Sequence, residues 1–263
     1  MSAPPSHVVK LCDVTMQFDE KKVLDGLSLE VKPQDRLVIM GQSGSGKSTI
    51  LRLILGILQP TSGSIFFKQF EITRLSSRKL QQIRRHIGMV YQYSALLSSR
   101  TVRDNVALPL EELTTKSRQE IDEIVDEKLA LVGMSKSKDL MPSELSGGMK
   151  KRVSVARALV LEPELILFDE PTAGLDPVIG SVIDELIISL SEKSKVTSVT
   201  VTHEMDSAFR IGTRMAMLYQ GKIIEDAEPE RFKQSKNPVV AQFLSGSTEG
   251  PILEESEDAI ATK

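Results

Sequence analysis

The sequence predicts an α/β fold with three parts. These are a largely parallel core sheet, a smaller antiparallel sheet beside it, and a helical subdomain inserted between core strands. Three observations carry that expectation. Short Val- and Ile-rich runs alternate with helical patterns along the chain. One glycine-rich loop, "GQSGSGKS" (41–48), stands between such a run and a helical pattern. Another run, "LILFDE" (165–170), ends in two acids.

Taken in order, "VVKLCDVTMQF" (8–18) and "VLDGLSLEV" (23–31) alternate as strand candidates and predict the small antiparallel sheet. "RLVIM" (36–40), "IGMVY" (87–91), "LILFD" (165–169) and "VTSVTVT" (196–202) read as buried strands, apolar on both faces as in a parallel sheet. "STILRLILGIL" (48–58) reads as the helix after the glycine loop. Across 117–132, Ile121, Ile124, Val125, Leu129 and Val132 recur at helical spacing. With short helices around it, roughly 100–160 is expected to form the inserted subdomain. "GGMKKRVSVARAL" (147–159) is a further helix, whose basic run Lys150–Arg152 reads as a solvated face. The last fifteen residues, "EGPILEESEDAIATK", are acidic and are expected to lack a fixed structure alone.

Composition bounds the function. A chain of 263 residues, 40% hydrophobic and 26% charged, can bury a real core. Its net charge of −3 gives no global basic field for nucleic acid. The one cysteine, Cys12, rules out an internal disulfide and fits a reducing compartment. No apolar run reaches the roughly 18–20 residues that span a bilayer, and "MSAPPSHVV" does not read as a signal peptide. A cytosolic protein is expected, held at a membrane by a partner if at all.

"GQSGSGKS" satisfies G-x-x-x-x-G-K-[ST] in full and in the strand-to-helix setting that motif requires. Its glycines let successive N–H groups face a phosphate, and the helix start adds partial positive charge. Gly41, Gln42, Ser43, Gly44, Ser45, Gly46, Lys47, Ser48 and Thr49 are therefore the candidate phosphate cradle. Lys47 is expected to reach the β- and γ-phosphates, and Ser48 to ligate Mg²⁺. At the end of "LILFDE", Asp169 is expected to hold Mg²⁺ through a water and Glu170 to polarise the attacking water. Gln92, Asp169, Glu170, His203 and the cradle all follow the C-terminal ends of proposed strands, the edge where open α/β sheets bind ligands.

The order cradle, Gln92, "LSGGM" (145–149), "LILFDE", "GLD" (174–176) and His203 resembles the ATP-binding-cassette (ABC) ATPases over about residues 8–245. The resemblance implies a P-loop NTPase with a RecA-like parallel-sheet core, one domain over 1–245 and a tail over 246–263 ordered by a partner. It implies ATP and Mg²⁺ as cofactors. It also implies that Ser146, Gly147 and Gly148 cap the γ-phosphate of ATP held by a second copy, so that each copy completes its neighbour's site. Gln92 then senses Mg²⁺ and the attacking water, Asp176 crosses the dimer interface, and His203 contacts the γ-phosphate. Phe18 stands where the family places an adenine-stacking ring; a core strand position is the other reading. Met149 departs from the family's glutamine.

"PSELSGGMKKRVSVARAL", "DEPTAGLDP", "YQYSALLSSRTVRDNVALPL" and the tail "FLSGSTEGPI" together resemble the Mla/Mce lipid-transport group. That implies a Gram-negative inner-membrane complex with the ATPase dimer on the cytoplasmic face. Its partners would be a permease, a ring of Mce proteins and often a small STAS-domain protein, with phospholipid as cargo. The rivals are a solute-importer cassette, for amino acids or ions, and a non-transport ATPase acting on DNA or ribosomes. A plain P-loop kinase or GTPase leaves "LSGGM" unexplained.

Overall fold

The computed structural model describes residues 6–253. Strands β1 (Val9–Phe18) and β2 (Lys21–Val31) form an antiparallel hairpin with Val9 opposite Val31. They join β4 (Ser62–Phe67) and β5 (Phe70–Glu71) in a four-stranded sheet of order β2-β1-β4-β5. Alternation along β1 and β2 buries one face, as a half-covered sheet requires.

The second sheet has order β10-β9-β3-β8-β7-β6. β3 (Arg36–Met40), β6 (Ile87–Val90), β7 (Leu165–Asp169), β8 (Thr197–Val201) and β9 (Arg214–Tyr219) run parallel. β10 (Lys222–Ala227) is antiparallel at the edge. Every residue of β7 and β8 is buried, because both faces are covered. Ile166 and Phe168 point into one core layer, Leu165 and Leu167 into the other. The first layer packs α3 (Val102–Leu113), α4 (Arg118–Leu131), α5 (Gly147–Leu159) and α6 (Pro177–Ser194). The second joins α1 (Lys47–Ile54) and α2 (Ser77–Arg84) to the small sheet.

Between β6 and β7 the chain forms α3, α4 and α5, which pack on one another. Local chemistry sets their starts. Ser117 and Glu120 make a capping box at α4, with Ser117 N donating to Glu120 Oε2 at 2.7 Å. Thr101 accepts from Asp104 N at α3, and Ser146 from Met149 N at α5. β8 connects through α7 (Met205–Ile211) to β9, and β10 is followed by α8 (Pro229–Lys233) and α9 (Pro238–Ser245).

The segment expected to lack structure begins with residues the body holds. Ile252 is buried, its N–H donates to Gln242 Oε1 on α9 at 2.8 Å, and Gln242 Nε2 donates to Ser247 O at 3.2 Å. An amide in α9 and an isoleucine seven residues past its end suffice to fold 246–253 back. Residues 254–263 lie outside the described residues.

Candidate nucleotide site

The cradle leaves β3 at Met40 and enters α1 at Lys47. Two glycines are demanded by space as well as conformation. Gly41 has φ +156°, and a Cβ there would lie 2.4 Å from Leu218 O; Gly46 has φ +106°, and its Cβ would lie 2.8 Å from Val23 Cγ1. Lys47 is buried and donates to Gly41 O at 2.7 Å and Gln42 O at 2.9 Å. Burial lowers its pKa, against the opposing pull of Glu170 and Asp169. A phosphate in the loop offers that ammonium a better acceptor than a carbonyl does.

β7 lies two positions along the sheet from β3, with β8 between them, and its last residue meets the cradle: Ser48 Oγ donates to Asp169 Oδ1 at 2.8 Å. Burial pushes the Asp169 carboxyl up, and the Ser48 bond resists the shift. Glu170 follows in the left-handed region at φ +47°, a conformation that strains any side chain beyond glycine. Its N–H donates to Val201 O at 2.9 Å, tying it to the end of β8. Its Oε1 lies 3.0 Å from His203 Nδ1, and His203 N donates to Oε2 at 3.4 Å. The two residues assigned separate roles thus hold each other.

A cavity of about 350 Å³ opens between these parts, lined by Val23, Ser43, Gly44, Gly46, Lys47, Ser48, Thr49, Gln92, Glu170 and His203. All sit past the C-terminal ends of the parallel strands except Val23 of β2, which reaches over from the small sheet. The oxygen set also fits one metal. A hydroxyl and a carboxylate 2.8 Å apart, with an amide nearby, match the few hard ligands Mg²⁺ takes when phosphates supply others. Among the described residues there is no cluster of three His, Cys, Asp or Glu that would cage a metal by itself.

Other predicted residues stand apart. Gln42 and Ser45 face a neighbouring cavity of about 290 Å³ shared with Ile252. Phe18 ends β1 and is 42% exposed, so it is not a core residue, and it does not line the 350 Å³ cavity. Ser146, Gly147 and Gly148 begin α5, outside that cavity, beside the start of α6, which Asp176 caps by accepting from Val178 N and Ile179 N at 3.1 Å each. A Cβ on Gly148 would lie 2.4 Å from Ile179 Cγ2, and one on Gly147 3.1 Å from Leu175 Cδ2. Gly148 is therefore dictated by helix packing as well as by any anion, whereas Gly147 meets only the tip of a leucine.

The basic run 150–152 is not a wholly solvated face: Lys150 and Arg152 are half-buried and Lys151 is buried. Lys151 is 3% exposed and donates to Gln92 O at 2.6 Å, Glu170 O at 3.0 Å and Tyr91 O at 3.3 Å. Burial pushes its pKa down to about 8 against the pull of Asp169, Glu170 and Glu204. Arg157, further along α5, donates to Ser94 O at 2.7 Å and Ala95 O at 2.6 Å. Thr172 Oγ1 donates to Glu204 Oε2 at 2.6 Å, joining the segment before Asp176 to the residue after His203. Sequence reasoning missed these four residues. The available signal was phase: Gly148, Lys151 and Val155 recur at helical spacing and share the buried side of α5.

Comparison with known proteins bears on family and fold. Residues 24–173 match the family model described as ABC transporter. The chain is 39% identical over 246 residues to the intermembrane phospholipid transport system ATP-binding protein MlaF of Haemophilus influenzae, spanning 94% of this chain and 93% of that one. It is 39% identical over 239 residues to the methionine import ATP-binding protein MetN of Geobacillus kaustophilus, spanning 90% of this chain and 69% of that one. Its fold is similar to the dimeric ATP-binding cassette MJ0796 solved in a post-hydrolysis state with ADP and Pi. That match has a TM-score of 0.77 at 34% identity, covering 84% of this chain and 98% of that chain.

Proposed function

The chain belongs to the ABC transporter family and is an ATPase subunit of that family; from this premise we propose that two copies close face to face over two ATP molecules to drive phospholipid between the inner and outer membranes of a Gram-negative bacterium. The observation that carries the dimer is the division of the site. Six cradle residues (Ser43, Gly44, Gly46, Lys47, Ser48 and Thr49), Gln92, Glu170 and His203 border one cavity, while Ser146–Gly148 and Asp176 sit together outside it. A second copy supplies what the first lacks, and the helix start at Ser146 suits a terminal phosphate.

Within each site the cradle N–H groups and Lys47 bind the phosphates. Ser48, Gln92 and Asp169 are the residues that would hold Mg²⁺, which neutralises phosphate charge when bound. Glu170 accepts the proton of the attacking water, and His203, bonded to Glu170, keeps that carboxylate aimed while it stands at the γ-phosphate. Phe18, exposed at the end of β1, offers its ring to adenine.

Support for the lipid cargo is the extent of likeness. The match to the MlaF relative runs through nearly all of both chains, whereas the MetN relative continues well past its match. Support for a permease partner is the mainly apolar cleft of about 370 Å³ beside the Gln92 loop, where Tyr91, Leu97, Leu108 and Pro109 stand with Arg84, Arg85 and Arg157. Among the described residues no helix is long and apolar enough to cross a membrane. The subunit would thus reach the cytoplasmic face of the inner membrane through that permease, with an Mce-type lipid-binding protein and a small STAS-domain protein as further members. The second reading, import of a small solute such as an amino acid, draws on the MetN likeness. Purification from native membranes with mass spectrometry separates the two. Co-purifying phospholipid and an Mce protein are expected, and a periplasmic solute-binding protein in their place refutes the lipid cargo.

A further inference from the structure

We propose that Lys151 is a positioning residue for hydrolysis: its ammonium holds the backbone of Glu170 in its left-handed turn and ties it to the Gln92 loop. The inference rests on the reading of Glu170 as the water-activating base.

A buried ammonium that touches no carboxylate directly is expensive, and chains retain one where something is gained. Among the described residues no carboxylate pairs directly with Lys151; Asp169, Glu170 and Glu204 act on it only from beyond ion-pair distance. Its three N–H donors instead match three backbone carbonyls, of Tyr91, Gln92 and Glu170. Two of these flank the residue that lines the cavity opposite Glu170, and the third belongs to Glu170 itself.

Glu170 needs such a restraint. At φ +47° its backbone is strained, and a strained residue keeps its conformation only when its surroundings over-determine it. Three backbone contacts do so: its N–H is held by Val201 O at 2.9 Å, and its C=O by Lys151 Nζ at 3.0 Å and, at a longer 3.4 Å, by Ala173 N. Without the ammonium that carbonyl keeps only the long bond from Ala173 N, which lets the peptide relax toward a commoner conformation and swings the carboxylate away from its place beside His203.

The position of Lys151 adds a second consequence. It lies three residues after Gly148 on the same helix, so the α5 start that faces a partner's nucleotide and the carbonyl of the chain's own base are joined by one rigid turn. Any tilt of α5 on dimer closure reaches Glu170 and Gln92 through this ammonium. Arg157 reinforces the link by holding Ser94 and Ala95 of the same loop.

The test compares Lys151→Met, Lys151→Arg and Glu170→Gln in the full-length chain, measuring kcat, ATP affinity by calorimetry and unfolding temperature. Methionine keeps the stem and removes the donors, and arginine restores donors. The expected result for Lys151→Met is a kcat about 10- to 100-fold lower, the scale of a misplaced catalytic group, with ATP affinity within about twofold of the parent. Lys151→Arg is expected to recover most of the turnover. The proposal is overturned if Lys151→Met turns over within threefold of the parent. It is equally overturned if Lys151→Arg fails to recover, or if affinity and kcat fall together in both variants, which marks Lys151 as helix packing. Should Lys151→Met fail to fold, Lys151→Arg decides alone: parent-like turnover supports the donor role and a 10-fold loss with intact affinity ends it. Glu170→Gln separates the two layers. Parent-like turnover there removes the base itself, whereas a dead Glu170→Gln beside an active Lys151→Met removes only the clasp.

Discussion

Replacing Gly148 by alanine puts a methyl where there is no room. Carbon atoms pack at about 3.5–4.0 Å, and the new Cβ would stand 2.4 Å from Ile179 Cγ2. The shortfall is roughly 1.1–1.6 Å by that packing distance. Ile179 lies in the first turn of α6, and its branched Cβ fixes χ1 within a helix, so the methyl cannot swing aside. Relief must come from α5 lifting off α6 by about 1 Å, an overpacking strain of about 1–3 kcal/mol. At about 2–4 °C per kcal/mol for a chain near this size, the unfolding temperature should fall by several degrees. A misplacement of that size costs about 100-fold in rate when it touches groups that must meet a reacting phosphate. Steady-state phosphate release at saturating ATP measures the loss, and calorimetry of ATP binding is the control. Affinity should stay within about twofold, an allowance set by the usual additivity of distant sites, because Gly148 does not line the chain's own cavity. Gly147→Ala is the matched variant: its methyl meets only the tip of Leu175 at 3.1 Å, so its unfolding temperature should stay near the parent's. Parent-like turnover by Gly148→Ala would refute the idea that the seating of α5 on α6 sets the second half-site.

Glu170→Gln should bind ATP and trap the dimer while turnover falls about 10²–10⁴-fold, the range for loss of a general base; hydrolysis at the parent rate sinks that assignment. Ser146→Arg should leave ATP binding by the monomer intact and abolish hydrolysis, since a bulky cation enters the shared phosphate site; normal turnover argues against sharing. Truncation after Gly246 removes the buried Ile252 and strips Gln242 of both its partners. A loss of about 2–4 kcal/mol is expected from lost burial and an orphaned amide, read as a lower denaturant midpoint; an unchanged midpoint shows that the contact contributes nothing.

Much of the site was legible because its signals are local. The loop 41–48 needs glycine where the backbone turns left and a lysine and hydroxyl at the helix start, all within eight neighbouring residues. β7 and β8 were readable because strands covered on both faces are continuously buried. Lys151 escaped because charge runs are usually solvated, and its burial depends on 91–92 and 170 meeting α5 from elsewhere in the chain. The start of the tail escaped for the same reason: acidic composition describes 249–263 on average, while one isoleucine and one glutamine decide the fate of 246–253.

The chain alone determined which chemistry is carried: a phosphate loop, an acid pair after an apolar strand, and a glycine pair at a helix start. These follow from backbone freedom, helix-start polarity and side-chain valence, which need no distant partner. Tertiary structure decided which groups hold one another: Ser48 on Asp169, His203 on Glu170, Thr172 on Glu204, and Lys151 on three carbonyls. Such pairings arise from the order of strands in the sheet and the seating of α5, where segments far apart in sequence come within hydrogen-bond reach.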